Sequence, residues 1–131
     1  MKTLSLILAG AALALTGATA VLARSAEENE AKLARMLEGR VAGEPVSCIS
    51  ALRSERMEVI EHVGIVYDAG NTIYVARPDN PESLSHNDIV VIDRFGGTLC
   101  ANDVIRTVDR TQGYTTGAVF LEDFVPYTKA G

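Results

Sequence analysis

The chain has 131 residues, of which 47% are hydrophobic, 22% charged and 5% aromatic, with no tryptophan. This is one small domain at most, and the apolar content excludes intrinsic disorder while ordinary glycine and proline usage excludes a collagen-like repeat. A formal net charge of −5 without any basic run leaves no electrostatic footprint for nucleic acid or an anionic membrane, and the acidic excess reads as solubility.

The first 23 residues read as a secretory signal peptide. Lys2 supplies a positive start, Leu4 to Leu15 form an apolar stretch broken only by Ser5 and Gly10, and Ala18-Thr19-Ala20 is an A-x-A cleavage signal. Val21-Leu22-Ala23 is a second acceptable site, so the mature chain is expected to start at Val21 or Arg24. The alternative is an uncleaved anchor, because Leu4 to Ala23 has about the 20 residues that cross a bilayer. Thr16, Gly17 and Thr19 dilute that stretch, and no cysteine stands near the cleavage site to make a lipoprotein. The expected location is periplasmic or secreted, with no stable membrane insertion after cleavage.

Residues 24–43 are expected to form a helix and linker, and residues 44–131 a β domain. Ser25 and Glu28 have the S-x-x-E spacing of a capping box, which predicts a helix from Ala26 to Glu38 with Gly39 in the left-handed position after its end. Glu28 and Lys32 stand at favourable i,i+4 spacing, and Leu33, Met36 and Leu37 form a narrow apolar stripe with Ala26 one heptad earlier. That stripe suits docking on a sheet; an exposed partner-binding arm is the rival reading.

Beyond Pro45 the pattern changes to short β segments. Val46 to Ile49 and Met57 to Glu61 are candidate strands separated by a polar turn or short helix. Gly64 to Asp68 and Thr72 to Arg77 read as a hairpin across Asp68-Ala69-Gly70-Asn71. Pro78 to Asp88 reads as an exposed loop, and the continuous apolar run Ile89-Val90-Val91-Ile92 as a strand covered on both faces. Gly96-Gly97 turns the chain, Asp103 to Asp109 and Gly117 to Leu121 are strands, and Pro126 marks an edge strand. The predicted fold is mostly β (α+β): six or seven strands in a small barrel or strongly curved antiparallel sheet, with one N-terminal helix.

Cys48 and Cys100 both lie beyond the signal segment and would meet an oxidising compartment. Two cysteines allow one intramolecular pairing, and closing a loop of about 50 residues removes on the order of 4 kcal/mol of unfolded-chain entropy. A redox or metal role lacks both a C-x-x-C spacing and a nearby histidine.

No other residues form a constellation that identifies a catalytic, cofactor or metal site. His62 and His86 are isolated, and Ser85, His86 and Asp88 are sequence neighbours, which point in different directions and suit a turn better than a triad. Glu58 with Glu61, and Glu122 with Asp123, are carboxylate pairs that read as solvated faces. Gly96-Gly97 and Gly113 extend into no phosphate-binding motif. Without tryptophan, any stacking platform falls to Tyr67, Tyr74, Tyr114, Tyr127 and the three phenylalanines.

The phrases Leu37-Glu38-Gly39-Arg40-Val41-Ala42-Gly43, Pro45-Val46-Ser47-Cys48-Ile49, Ile73-Tyr74-Val75 with Arg77-Pro78, Leu99-Cys100 and Phe124-Val125-Pro126-Tyr127 resemble a family of small exported alphaproteobacterial proteins, a domain of unknown function. The resemblance covers nearly all of the mature chain and implies export, a cysteine pair and a compact β domain; it supplies no activity, substrate or catalytic residue. The sequence reading is therefore a non-enzymatic binding or structural module of the cell envelope, with an envelope protein or ligand as partner. A small carboxylate-based hydrolase and a protease or lysozyme inhibitor contacting through the Pro78 to Asp88 loop are the alternatives.

Overall fold

The computed structural model describes residues 17–85, 87–93 and 96–130. Within them lie one α-helix, α1 (Gly17–Met36), and ten short strands: β1 (Arg40–Ala42), β2 (Cys48–Ser50), β3 (Met57–Ile60), β4 (Gly64–Asp68), β5 (Thr72–Ala76), β6 (Asp88–Ile92), β7 (Thr98–Cys100), β8 (Ile105–Asp109), β9 (Thr115–Val119) and β10 (Val125–Lys129). Short 3-10 turns stand at Ser54–Arg56 and Pro81–Ser83. All pairings are antiparallel, in a five-stranded sheet of order β1-β10-β5-β4-β3, a pair β2-β7 and a three-stranded sheet β6-β8-β9. The fold is thus mostly β with one helix, as expected, but no sheet closes into a barrel. β1 and β7, which were not expected, have only three residues each, too few to display the alternation that sequence reading uses, and the strand expected at Val46 to Ile49 is β2, two residues later.

Layering replaces barrel closure as the way to bury both faces of the large sheet. Along β4, successive side chains point to opposite faces. Ile65 and Tyr67 join Ile49, Leu99, Ile105 and Phe124, contributed mainly by the smaller sheets and their connections. Val66 joins Ile73 and Val75 of β5, Ile60 and Val63, and Leu33 of the helix. The strands covered on both faces are therefore β4 and β5, the latter with Tyr74 and Ala76 on one side and Ile73 and Val75 on the other, and not the apolar run at 89–92. That run is β6, an edge strand with Ile89 exposed and Val90 to Ile92 half-buried.

The helix starts earlier than expected and ends at Met36, two residues before the expected Glu38, while Gly39 takes the left-handed conformation expected of it. It runs from Gly17, so Ser25 lies inside it rather than at its N-terminus, and the predicted capping box does not form. Gly39 takes φ +73°, and the N–H of Arg40 donates to the carbonyl of Leu37 at 3.1 Å, closing the last turn. Leu33 is buried on the sheet with Met36 and Leu37 packed beside it, so this stretch is a docked helix and not a free arm. Lys32 reaches across to Glu58 of β3 in place of the expected Glu28 partner. Glu30 receives two hydrogen bonds from the Arg77 guanidinium, at 2.6 and 3.1 Å, and Asn29 Nδ2 donates to the Glu61 carbonyl at 2.9 Å. The bond to Glu30 pushes the Arg77 pKa up, against an opposing effect of burial.

The β4–β5 hairpin forms where the sequence placed it, with Tyr67 opposite Tyr74. Other segments shift. The strand expected from Asp103 begins at Ile105, because Asp103 turns back and its carboxylate accepts the Cys100 N–H at 2.7 Å. The strand expected at Gly117 to Leu121 is β9, starting two residues earlier, and Leu121 instead bridges to Pro78. Pro78 and Leu84 are buried, so the stretch between them is a strap anchored at both ends, with Asp79 to Glu82 exposed as expected. Pro126 lies in an inner strand, β10, between β1 and β5. It is tolerated because a residue's N–H and C=O point to the same side of a strand. Its carbonyl accepts the Gly43 N–H at 2.7 Å, so its missing donor faces the point where β1 has already ended.

Candidate functional site

Cys48 and Cys100 stand directly opposite each other in the β2–β7 pair and form a disulfide with Cα atoms 4.0 Å apart. This is the one pair of sequence-selected residues that the fold joins covalently. The bond ties the start of the β region to its later half and makes a rigid clip of two strands that share only three residue pairs.

Of the remaining candidates, Glu61, Ser85 and Asp88 come to one cleft and Tyr67 stands opposite Tyr74, while the others stand apart. Glu58 is engaged by Lys32, and Glu61 lies 3.2 Å from His62 Nε2. His62 occupies the β3–β4 turn with φ +61°, held there by its N–H bonding to the Leu84 carbonyl at 2.9 Å. Ser85 and Asp88 make a turn, the Asp88 N–H donating to the Ser85 carbonyl and the Asn87 N–H to the Ser85 hydroxyl. His86 lies outside the described residues. Glu122 and Asp123 are exposed beside Arg77 on a cavity of only about 50 Å³. Tyr114 is exposed, and Tyr127 packs on the helix side of the large sheet. Gly96 and Gly113 adopt left-handed turn conformations. Among the described residues no group of three or more His, Cys, Asp or Glu could hold a metal ion. No helix among them is long and apolar enough to cross a membrane.

Among the described residues, two clefts are large enough for a small molecule. One, of about 350 Å³, is bordered by α1, the β3–β4 turn and the strap, and combines charges of both signs: Lys32 and Arg110 with Glu61 and Asp88, and Ser85 beside them. The other, of about 480 Å³, lies where the β2–β3 connection crosses the end of the β4–β5 hairpin. Tyr67 and Tyr74, paired across the hairpin, share one face of the sheet; Leu52, Arg53 and Arg56 rise beside them. Tyr67 is buried and its hydroxyl accepts the Arg53 backbone N–H at 3.3 Å, which fixes the connection against the ring. Leu52 is 76% exposed, and its side chain lies over Gly97, the position where any larger residue would collide with it. No described residue of the lining carries a carboxylate.

This second cleft was not singled out from the sequence. Two signals were present: Arg53 and Arg56 three residues apart in a polar run, and Tyr67 and Tyr74 placed symmetrically about the hairpin loop. What the sequence could not give was the crossing of the two segments.

No protein-family model matches the chain, and no curated protein and no solved structure shows significant similarity to it.

Proposed function

We propose that the chain acts, after export and removal of residues 1–23, as a non-enzymatic binding module of the cell envelope. The observation that carries this reading is the lining of the 480 Å³ cleft, which among the described residues offers cationic, phenolic and apolar surface but no carboxylate to act as general acid or base. The cross-strand disulfide and the signal-peptide pattern support an oxidising location. A second reading, the carboxylate-based hydrolase, is favoured by one specific observation: Glu61 and Asp88 line the same 350 Å³ cleft.

Incubating the exported protein with isolated envelope polymers separates the two. The binding module sediments with polymer and releases no soluble product. Release of reducing ends or peptides that is lost in Glu61→Gln or Asp88→Asn establishes the hydrolase instead. The intact mass of protein recovered from the periplasm should match a start at Val21 or Arg24; recovery of the full-length chain from membranes contradicts export by cleavage.

A further inference from the structure

We propose that the cleft formed by Arg53, Arg56, Leu52, Tyr67 and Tyr74 binds small molecules in which a carboxylate or phosphate is carried on a flat apolar ring. It rests on the reading of the chain as a binding module and specifies what that module takes.

Most arginines with described contacts are consumed by the fold. Arg77 is held by Glu30, Arg106 by Asp93, and Arg40 donates to the carbonyls of Gly70, Asn71 and Tyr127. The side chains of Arg53 and Arg56 have no ion pair or hydrogen bond among the described residues, although the chain as a whole is acidic. Two unpaired guanidiniums on one concave surface present planar forks of donors that match the geometry of an oxyanion. Two like charges on one lining, with no opposite charge among the described lining residues, attract an anion to the cleft. The other cleft already contains carboxylates beside its cations, which leaves less unbalanced positive charge to attract an anion.

The tyrosines supply the second half of the specificity. Tyr67 and Tyr74 are directly opposite in the antiparallel register, so their rings stand side by side on one face. Tyr67 is locked by the Arg53 N–H, and Tyr74 remains half-buried, leaving ring surface at the cleft. The ring surface that Tyr74 leaves beside buried Tyr67 favours a flat ring by stacking, and the exposed Leu52 offers apolar cover on its outer side. The anionic group and the ring are recognised by different walls, so a ligand lacking either should bind distinctly more weakly.

Isothermal titration of the full exported chain with 2-naphthoate, its neutral analogue 2-naphthamide and inorganic phosphate tests this. Naphthoate should bind with a Kd below about 1 mM and about tenfold more tightly than naphthamide or phosphate. Arg53→Gln with Arg56→Gln, both at exposed positions and checked by an unchanged Tm, should abolish the preference for the acid. Tyr74→Leu should weaken naphthoate at least about threefold and leave phosphate unaffected. Absence of naphthoate binding, equal affinity for acid and amide, or a preference retained in the double variant overturns the assignment. Failure of the probe with intact retention on envelope polymer defeats the assignment alone; cleavage of the polymer defeats the binding-module reading.

Discussion

Gly64 stands close against the backbone of β5, and a Cβ built on it would lie 2.6 Å from the Ala76 carbonyl oxygen. The obstacle is backbone rather than a movable side chain. Gly64→Ala should therefore cost about 2 kcal/mol or more in chemical denaturation, through displacement of one strand. Gly70, also in this hairpin, would behave differently: it has space around it but a φ of +91°, so strain rather than collision opposes a side chain. Ser25 makes a contrasting case. Inside α1 its hydroxyl has no cap to form, and Ser25→Ala should change the stability of the full chain by less than about 0.5 kcal/mol. In a chain beginning at Arg24 the same residue stands at the helix start, and the substitution should cost about 1 kcal/mol. Comparing the melting of the two lengths distinguishes the contexts.

At the scale of elements, the helix is held by one buried leucine and several exposed polar contacts of unequal worth. Leu33 is 2% exposed against Ile60, Val66 and Val75. Leu33→Ala should destabilise by about 2 to 4 kcal/mol, and Leu33→Asp by more, because an unpaired carboxylate would enter an apolar contact. The Glu30–Arg77 bridge, with both side chains nearly half exposed, is worth at most about 1 kcal/mol, and Glu30→Gln should fall within that limit. If Leu33→Asp melts like the parent chain, the helix is not docked in solution. The strap from Pro78 to Leu84 follows the same logic. It has little regular structure, yet its buried ends, the Pro78–Leu121 bridge and the Asp79 N–H bond to the Phe120 carbonyl at 2.9 Å hold it on the β sheets. Such a segment offers an inhibitor-like contact surface only through its exposed middle, Asp79 to Glu82.

For the whole molecule, the disulfide joins strands 52 residues apart in sequence and ties the β2–β7 pair into the core around Leu99 and Ile49. Cys48→Ser should lower stability by about 2 to 5 kcal/mol, and native exported protein should expose no thiol to maleimide until it is denatured and reduced. Thiols that react in the native protein would contradict both the bond and the oxidising location. The sequence by itself determined the local features: the hairpin about Gly70, the left-handed Gly39 after the helix, the apolar stripe of Leu33, Met36 and Leu37, and the single possible cysteine pairing. Each depends on spacing within a few residues, or on arithmetic with two cysteines. Only the tertiary structure decided that β4 and β5 rather than β6 are covered twice, that Pro126 is tolerated in an inner strand, and that Arg53 and Arg56 line one cleft with Tyr67 and Tyr74. Those outcomes depend on which distant segments pack together, and an apolar run or an arginine pair reads the same in sequence whether its partner is another strand, an aromatic ring or water.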